Sequence, residues 1–204
     1  PNSDGERGLV DEQTSRRDAG GWTVRWNPAL ALQWVKSGDW LNRTIADDAA
    51  ALASTAPDRV QMIDNDVALT RGQLYERARR LAAWFVSIGL EPGAVISFQL
   101  PNWWEAAVIN LAAAMTGVVA NPIVPIYRDA EVGYMLNEAR TRVVFVPRTF
   151  RNFDYAAMMA RLAPSFDAPP LLVTVRDRAE GFLCFEDLLD GPPLAEARKV
   201  DPDA

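Results

Sequence analysis

Neighbouring carboxylates are the residues of this sequence whose spacing could support acid–base chemistry or metal binding. They occur at Asp47-Asp48, Asp64/Asp66, Glu186-Asp187 and Asp201/Asp203. Each pair falls at a predicted helix start, in a turn or near the end of the chain, where solvated carboxylates commonly cap helices and turns. We therefore predict no catalytic residue and no metal site in this sequence.

The histidine and cysteine content limits the chemistry further. Histidine is absent from the 204 residues, and Cys184 is the single cysteine. Because histidine is the usual general base, Ser-His-Asp and Cys-His hydrolase arrangements are not expected. A lone cysteine can form neither an internal disulfide nor a multi-thiolate metal site, and it suits a reducing, cytoplasmic compartment. We expect Cys184 to act as a small, half-buried apolar residue.

One predicted loop has features of a ligand-binding loop. Asn102, Trp103 and Trp104 follow a predicted buried strand and lead into a helix, and ligands of open parallel sheets lie beyond the carboxyl ends of the strands. Tyr127 follows the next strand and is the fourth candidate. The competing interpretation, which we favour, is that the tryptophans fill a domain interface. The sequence has no G-x-G-x-x-G or G-x-x-x-x-G-K-[ST] motif, so a dinucleotide site is not expected.

The charge balance argues against nucleic acid as a partner. With 27 acidic and 21 basic side chains, the formal net charge is −6, which offers no cationic surface to a phosphate backbone. Residues 1–18 are polar and lack the apolar core of a signal peptide. The uncharged run Ala106–Tyr127 is not expected to span a membrane, because residues such as Asn110, Gly117 and Pro122 interrupt it.

Local patterns predict alternating helices and strands. Thr44 with Asp47, and Thr70 with Gln73, have the spacing of helix capping boxes. Asn102 with Glu105 has the same spacing. The predicted strands are Val60–Ile63, Val67–Leu69, Val95–Leu100, Val118–Val124, Val143–Val146 and Leu171–Val175.

These elements predict an α/β fold with a mainly parallel sheet covered by helices on both faces. We expect a disordered leader at 1–20, the α/β unit at 21–190 and a frayed linker at 191–204. The tryptophans of Trp22–Leu41 are expected to hold that segment on the surface of the unit. The helix Trp103–Met115 is apolar around its whole circumference, so we expect something beyond this chain to pack against it.

Four short segments follow one another in an order found in a known superfamily. They are Ala68–Leu74, with L-T-x-x-x-L; Gly89–Val95, with G-L-x-x-G-x-V; Leu100-Pro101-Asn102; and Ala113–Pro122, with A-x-x-x-G-x-V-x-x-P. Together they resemble the N-terminal part of the adenylate-forming, or AMP-binding, superfamily of acyl-CoA synthetases, aryl-CoA ligases and luciferases. The resemblance runs from about Thr44 to Leu189, and Ala94 stands where the family often has an acidic residue. It looks most similar to bacterial CoA ligases acting on medium-chain or cyclic carboxylic acids, a link to fatty acid metabolism.

The resemblance implies a specific reaction. Family members use ATP and Mg²⁺ to convert a carboxylic acid to an acyl-adenylate, and then transfer the acyl group to coenzyme A. The family's phosphate loop, its ATP-binding Asp and Arg and its catalytic Lys lie further along than Ala204, so no cofactor-binding residue is assigned here. We expect the chain alone to be inactive, because those groups supply the catalysis. Its partners would be the remainder of the enzyme and a small carboxylic acid, with Asn102, Trp103, Trp104 and Tyr127 in the acyl pocket or a domain interface.

Two alternatives stay open. The chain could be a stand-alone α/β module that binds an apolar ligand or a protein partner through Trp103, Trp104 and Tyr127. It could also be a purely structural domain, which would bind neither fatty acids nor aromatic acids. An uncovered apolar helix further predicts self-association at high concentration.

Overall fold

The computed structural model describes residues 15–200 of the chain. The helices are α1 (Pro28–Ser37), α2 (Ile45–Thr55), α3 (Arg71–Ser87), α4 (Trp104–Thr116), α5 (Asp129–Glu138) and α6 (Tyr155–Leu162). The strands are β1 (Ser15–Arg17), β2 (Thr23–Arg25), β3 (Val60–Asp64), β4 (Val67–Thr70), β5 (Val95–Phe98), β6 (Val119–Pro122), β7 (Val143–Pro147), β8 (Thr149–Phe150), β9 (Phe153–Asp154), β10 (Leu171–Val175) and β11 (Leu183–Cys184). Short 3-10 helices form at Ala163–Ser165 and Glu186–Leu189.

A parallel sheet forms the centre of the fold. Its strand order is β11-β10-β7-β5-β6, and each neighbouring pair is parallel. The chain crosses from β5 through α4 to β6, through α5 to β7, and through α6 to β10. Three further antiparallel pairs, β1-β2, β3-β4 and β8-β9, lie outside this sheet. The predicted α/β fold with a mainly parallel sheet is confirmed.

Helices cover both faces of the sheet, as predicted. Strand β7 shows why, since Val143 and Phe145 pack into the core beneath α2, α3 and α4, whereas Val144 and Val146 pack beneath α5 and α6. All four side chains are fully buried. Burying a Val or Phe side chain contributes about 1.5–3 kcal/mol, so a strand apolar on both faces stabilises the protein only between two helical layers.

The helix starts follow the capping signals in two cases out of three. The hydroxyls of Thr44 and Thr70 accept hydrogen bonds from the N–H groups three residues later, and Asp47 and Gln73 return the bond, so both predicted capping boxes are confirmed. The predicted Asn102 cap of α4 is wrong. The N-cap residue is Trp103, whose side chain makes no capping bond, because Glu105 turns into the protein interior instead.

Helix α4 is enclosed mainly by the chain itself. It packs most extensively against α3, and also against α2 and β6. Val108, Ile109 and Ala112 are fully buried, and Asn110 is the exposed position on the helix. We predicted that something beyond this chain covers the helix. That expectation now applies only to the exposed strip around Asn110, where it stays a prediction. No helix within residues 15–200 combines the length and apolarity needed to cross a membrane.

The N-terminal region departs from the expected leader. Strand β1 pairs with β2 in an antiparallel hairpin, and the backbone of Ala19 lies directly against Gly93. Ala19 and Gly20 therefore contact the α/β unit. The part of the expected leader before Ser15 lies outside the described residues. Within the tryptophan-rich segment, Trp40 packs against both Trp26 and Trp34, with ring centroids 6.3 and 4.7 Å away.

The segment expected to fray after Asp190 is attached to the α/β unit up to Val200. Its contacts are backbone bonds rather than a regular element: Leu194 N donates to Arg79 O over 3.0 Å, and Arg198 N donates to Met115 O over 2.8 Å. The guanidinium of Arg198 also donates to Leu90 O. Composition predicted fraying because proline and charge predominate here, but the carbonyl of Arg79 within α3 and that of Met115 in the last turn of α4 accept hydrogen bonds that hold the segment in place. Residues 201–204 of the expected linker lie outside the described residues.

Candidate functional site

The loops that follow the sheet strands form one surface, which we call the carboxyl edge. It consists of residues 99–103 after β5, 123–128 after β6, 148–154 after β7 and 176–182 after β10. Strand β5 lies between β6 and β7. The chain therefore runs from β5 to β6 on one side, and the next connection reverses direction and passes β5 to reach β7 on the other side. Such a reversal is where open α/β sheets bind ligands.

Trp103 lies at the carboxyl edge with a partner on each of two sides. The guanidinium carbon of Arg176 sits 4.0 Å from the centroid of the Trp103 ring. The ring of Phe150 approaches edge-on, with centroids 5.8 Å apart. Trp103 is half-buried, and Asn102 beside it is exposed.

Trp104 has different neighbours. Its ring meets Phe185 edge-on at 6.0 Å, and the guanidinium of Arg77 lies 5.1 Å from its centroid. Both partners belong to the side of the sheet that α3 covers, so Trp104 packs on the α3 core. The two adjacent tryptophans therefore do not form a single aromatic surface.

Tyr127 packs on the opposite side of the sheet, in the core beneath α5 and α6. Its loop is held rigidly from beneath, because Gln99 Nε2 donates to the carbonyls of both Val124 and Tyr127 over 3.0 Å. The hydroxyl of Tyr155 donates to Pro125 O over 2.7 Å. The structure thus places Asn102, Trp103 and Tyr127 at the carboxyl edge and Trp104 just behind it, in the first turn of α4. The two tryptophans pack on a different core from Tyr127. Their role as an acyl pocket or a domain interface stays a prediction.

Behind Trp103 lies a charged cluster that sequence reasoning missed. Arg176 donates from Nε to Glu105 Oε1 over 2.6 Å and from Nη2 to Glu105 Oε2 over 2.8 Å, and its Nη2 also contacts Asp64. Glu105 is 1% exposed and Asp64 is 8% exposed. The prediction that Asp64 is a solvated turn residue is therefore wrong.

The cluster holds its charges through mutual contact. Burial lowers the pKa of Arg176, but the hydrogen bonds that it donates to Glu105 and Asp64 outweigh this and raise the pKa above its ordinary value. One signal in the sequence could have indicated the cluster: Glu105 is the single charged residue in an otherwise uncharged and mainly apolar helix. A charge in such a helix needs a buried counter-ion, although the sequence does not say which one.

The other acidic pair near this edge is structural. Glu186 accepts hydrogen bonds from the backbone N–H of Arg176 and from Cys184 Sγ, at 2.9 Å each. Asp187 makes two hydrogen bonds with Arg178, which lower the pKa of Asp187. Burial, followed by the bond to Glu186, raises the pKa of the Cys184 thiol, so this thiol is a poor nucleophile. Within residues 15–200, no group of three or more His, Cys, Asp or Glu side chains is placed to hold a metal ion.

A separate apolar groove of about 540 Å³ opens between α2, α3 and α4. Its lining includes Leu52, Leu74, Tyr75, Ala107 and Leu111. The volume is in the range of small-molecule sites. The exposed strip of α4 around Asn110 forms one wall of this groove.

Comparison with known proteins places these features in a family. A sequence model of the AMP-binding enzyme family matches residues 49–202. The chain is 30% identical over 187 residues to a salicylyl-CoA synthase / salicylate adenylyltransferase of a Streptomyces species, covering 89% of this chain and 34% of that protein. It is 34% identical over 131 residues to the medium-chain fatty-acid–CoA ligase of Escherichia coli K12, covering 64% of this chain and 23% of that protein.

Solved structures show the same architecture. MbtA of Mycobacterium smegmatis, in its apo form, superposes with a TM-score of 0.74 at 25% identity, over 88% of this chain and 33% of that one. A benzoate CoA ligase of Burkholderia xenovorans gives a TM-score of 0.65 at 25% identity, over 78% of this chain and 30% of that one. The chain spans about a third or less of the length of these relatives. With a parallel sheet of matching architecture and a family match across most of its length, the chain belongs to the AMP-binding enzyme family.

Proposed function

We propose that this chain is the N-terminal α/β part of an enzyme that activates a carboxylic acid with ATP and transfers the acyl group to coenzyme A. The observation that carries this proposal is the family match over residues 49–202. It is supported by relatives whose names describe CoA ligases and an adenylyltransferase. The fold that accompanies the match is an open parallel sheet with a strand reversal, an architecture that binds ligands at its carboxyl edge.

In this proposal the described residues position the substrate rather than perform the chemistry. The buried carboxylates Asp64 and Glu105 are both engaged by Arg176, so they do not fit a site for Mg²⁺ and ATP. ATP and Mg²⁺ would instead be bound by other parts of the enzyme, and there they would supply the phosphate chemistry. The proposed contribution of this chain is a rigid wall at the carboxyl edge, formed around Trp103, against which the acyl group packs and from which water is excluded.

The acid is proposed from the relatives' names. One relative is named for salicylate and another for medium-chain fatty acids, so we propose an aromatic or medium-chain carboxylic acid as the substrate class. A half-buried indole beside a phenylalanine ring suits the apolar portion of either kind of acid. We further propose a cytoplasmic location.

The test of the proposal is an assay of the full-length enzyme produced from the complete gene. Purified enzyme is incubated with ATP, Mg²⁺, coenzyme A and a panel of salicylate, benzoate and C6 to C12 fatty acids. Pyrophosphate release and acyl-CoA mass are recorded for each acid. We expect acyl-CoA from at least one acid, and none from the 204-residue chain alone. Failure of the full-length enzyme with every acid would refute the proposal, and acyl-CoA from the chain alone would refute its non-catalytic role.

A second candidate function rests on the apolar groove between α2, α3 and α4. Its volume and apolar lining suit an apolar ligand of a self-contained binding module. Isothermal titration calorimetry of the isolated chain with decanoate and with benzoate discriminates between the two functions. Saturable binding that Leu111→Asp abolishes would favour the binding module, whereas heats no larger than those of dilution would favour the synthetase part.

A further inference from the structure

Three separate segments of the chain meet behind the ring of Trp103. Asp64 is the last residue of β3, Glu105 lies in the first turn of α4, and Arg176 directly follows β10. All three are joined through the guanidinium of Arg176. The cluster therefore ties a hairpin, a helix start and a sheet strand to one point.

Both carboxylates depend on Arg176. A carboxylate removed from water is strongly destabilised unless it is paired and hydrogen-bonded, and both of these are more than nine-tenths buried. Asp64 also accepts hydrogen bonds from the backbone N–H of Trp104 at 3.2 Å and from Asn65 Nδ2 at 3.0 Å, whereas the bonds to Glu105 come from Arg176. Glu105 belongs to the first turn of α4, and Asp64 accepts a hydrogen bond from the N–H of Trp104 in the same turn. We therefore expect a movement of Arg176 to move the start of that helix.

Arg176 is at the same time a direct neighbour of Trp103. Its guanidinium covers one face of the ring, as described above, while Phe150 meets the ring from another side. The backbone of Arg176 has a φ of +69°, a conformation that non-glycine residues adopt at a cost. The bond from its N–H to Glu186 helps to hold that conformation and keeps the side chain directed at the ring.

We infer that Arg176 is a positioning residue that fixes Trp103 in the orientation in which it receives the acyl group of the substrate. This inference rests on the proposed function. Arg176 does not touch the reacting atoms. It acts by holding the carboxylates of Asp64 and Glu105 on one side and the indole of Trp103 on the other.

The test uses the full-length enzyme and its best acid from the panel. In Arg176→Met, the length of the side chain is retained but the guanidinium is lost, so the ring is no longer fixed. We expect the KM for the acid to rise about tenfold, in the range for an altered apolar pocket, while kcat and the KM for ATP stay within about threefold. The matched control is Arg161→Met, which removes an exposed arginine paired with Asp129 rather than with Asp64 or Glu105, and it should leave all three constants unchanged.

A second variant keeps the inference testable if Arg176→Met does not fold. Trp103→Leu preserves the ion pairs and removes the ring, and it should reproduce the rise in the KM for the acid. An unchanged KM for the acid in Trp103→Leu would overturn the inference. A fall in kcat without a rise in the KM for the acid in Arg176→Met would also overturn the inference, because that result signifies only that fewer molecules are folded. If the wild-type enzyme makes no acyl-CoA at all, the proposed function fails and this inference fails with it.

Discussion

The backbone N–H of Trp104 donates a 3.2 Å hydrogen bond to the carboxylate of Asp64, which belongs to a hairpin far earlier in the chain. Helix α4 has no side-chain cap of its own at Trp103, so Asp64 serves as a cap from another segment. The negative charge also lies at the positive end of the helix dipole. A single carboxylate thus joins the β3-β4 hairpin to the first turn of α4.

Replacing Asp64 should destabilise the protein far more than replacing its neighbour Asp66. Asp64→Ala removes the bond to Trp104 and one partner of Arg176, and we expect the free energy of unfolding to fall by about 2–3 kcal/mol. Asp66 is exposed, so Asp66→Ala should stay within about 0.5 kcal/mol of the wild type. Urea unfolding followed by circular dichroism measures both. Equal losses in the two variants would show that Asp64 is not a buried cap.

The capping box of α2 should weaken at acidic pH. The backbone N–H of Thr44, and then its hydroxyl, donate hydrogen bonds to Asp47 and lower the pKa of that carboxyl below its ordinary value of 3.8. A carboxyl with a lowered folded-state pKa stabilises the protein above its ordinary pKa, and this contribution is lost as pH falls through the lower value. The stability advantage of the wild type over Asp47→Asn should therefore be constant above about pH 5 and shrink below about pH 4.

An NMR titration of the Asp47 carboxyl carbon checks the same prediction directly. Its midpoint should lie below 3.8 in the wild type. In Thr44→Ala the hydroxyl bond is lost but the backbone bond remains, so the midpoint should move part of the way back. A wild-type midpoint at or above the ordinary value would contradict the prediction.

Gly93 should tolerate a side chain less well than Gly89. Both have positive φ, +84° and +76°, so alanine is strained at either position. A Cβ on Gly93 would also lie 2.2 Å from the backbone of Ala19, whereas a Cβ on Gly89 would meet nothing within 4 Å. We expect Gly93→Ala to release residues 15–20 and to speed tryptic cleavage after Arg16 and Arg17. Cleavage as slow as in Gly89→Ala would argue against this contact.

Hydrogen exchange should detect attachment of the segment that follows Asp190. The N–H groups of Leu194 and Arg198 donate to the carbonyls of Arg79 and Met115, so both should exchange more slowly than the N–H of Glu196 between them. In Arg79→Met the bond from Arg79 Nε to Leu194 O, at 2.7 Å, is removed. Exchange at Leu194 should then accelerate. Uniformly fast exchange across the wild-type segment would indicate that it frays after all.

Sequence reasoning succeeded where the signal is local. The pairs Thr44 with Asp47 and Thr70 with Gln73 carry their capping partners within four residues, and the apolar run at Val143–Val146 shows by itself that β7 is buried on both faces. Helix α1 was missed although its start was readable, because Asn27 followed by Pro28 is an N-cap and first-turn signature.

The charged cluster could not be derived in the same way. Asp64, Glu105 and Arg176 belong to three segments that only the folded chain brings together, and many other arginines in the sequence could have paired with Glu105. Strand β11 was missed for a related reason. Leu183 and Cys184 gain their strand conformation by pairing with Val173 and Thr174 at the edge of the sheet, and two residues carry no periodicity of their own.

The position of β5 sets the order in which the sheet can assemble. This strand is made before both of its neighbours, since Val95 pairs with Val119 and Ile96 pairs with Val143. During synthesis, β6 and β7 must therefore leave the ribosome before the backbone N–H and C=O groups of β5 can be hydrogen-bonded on both sides. Until then, the exposed backbone of this uncharged strand can pair with other chains. We therefore expect closure of these long loops, rather than helix formation, to limit refolding, and we expect chaperone binding during translation to concentrate on Val95–Phe98.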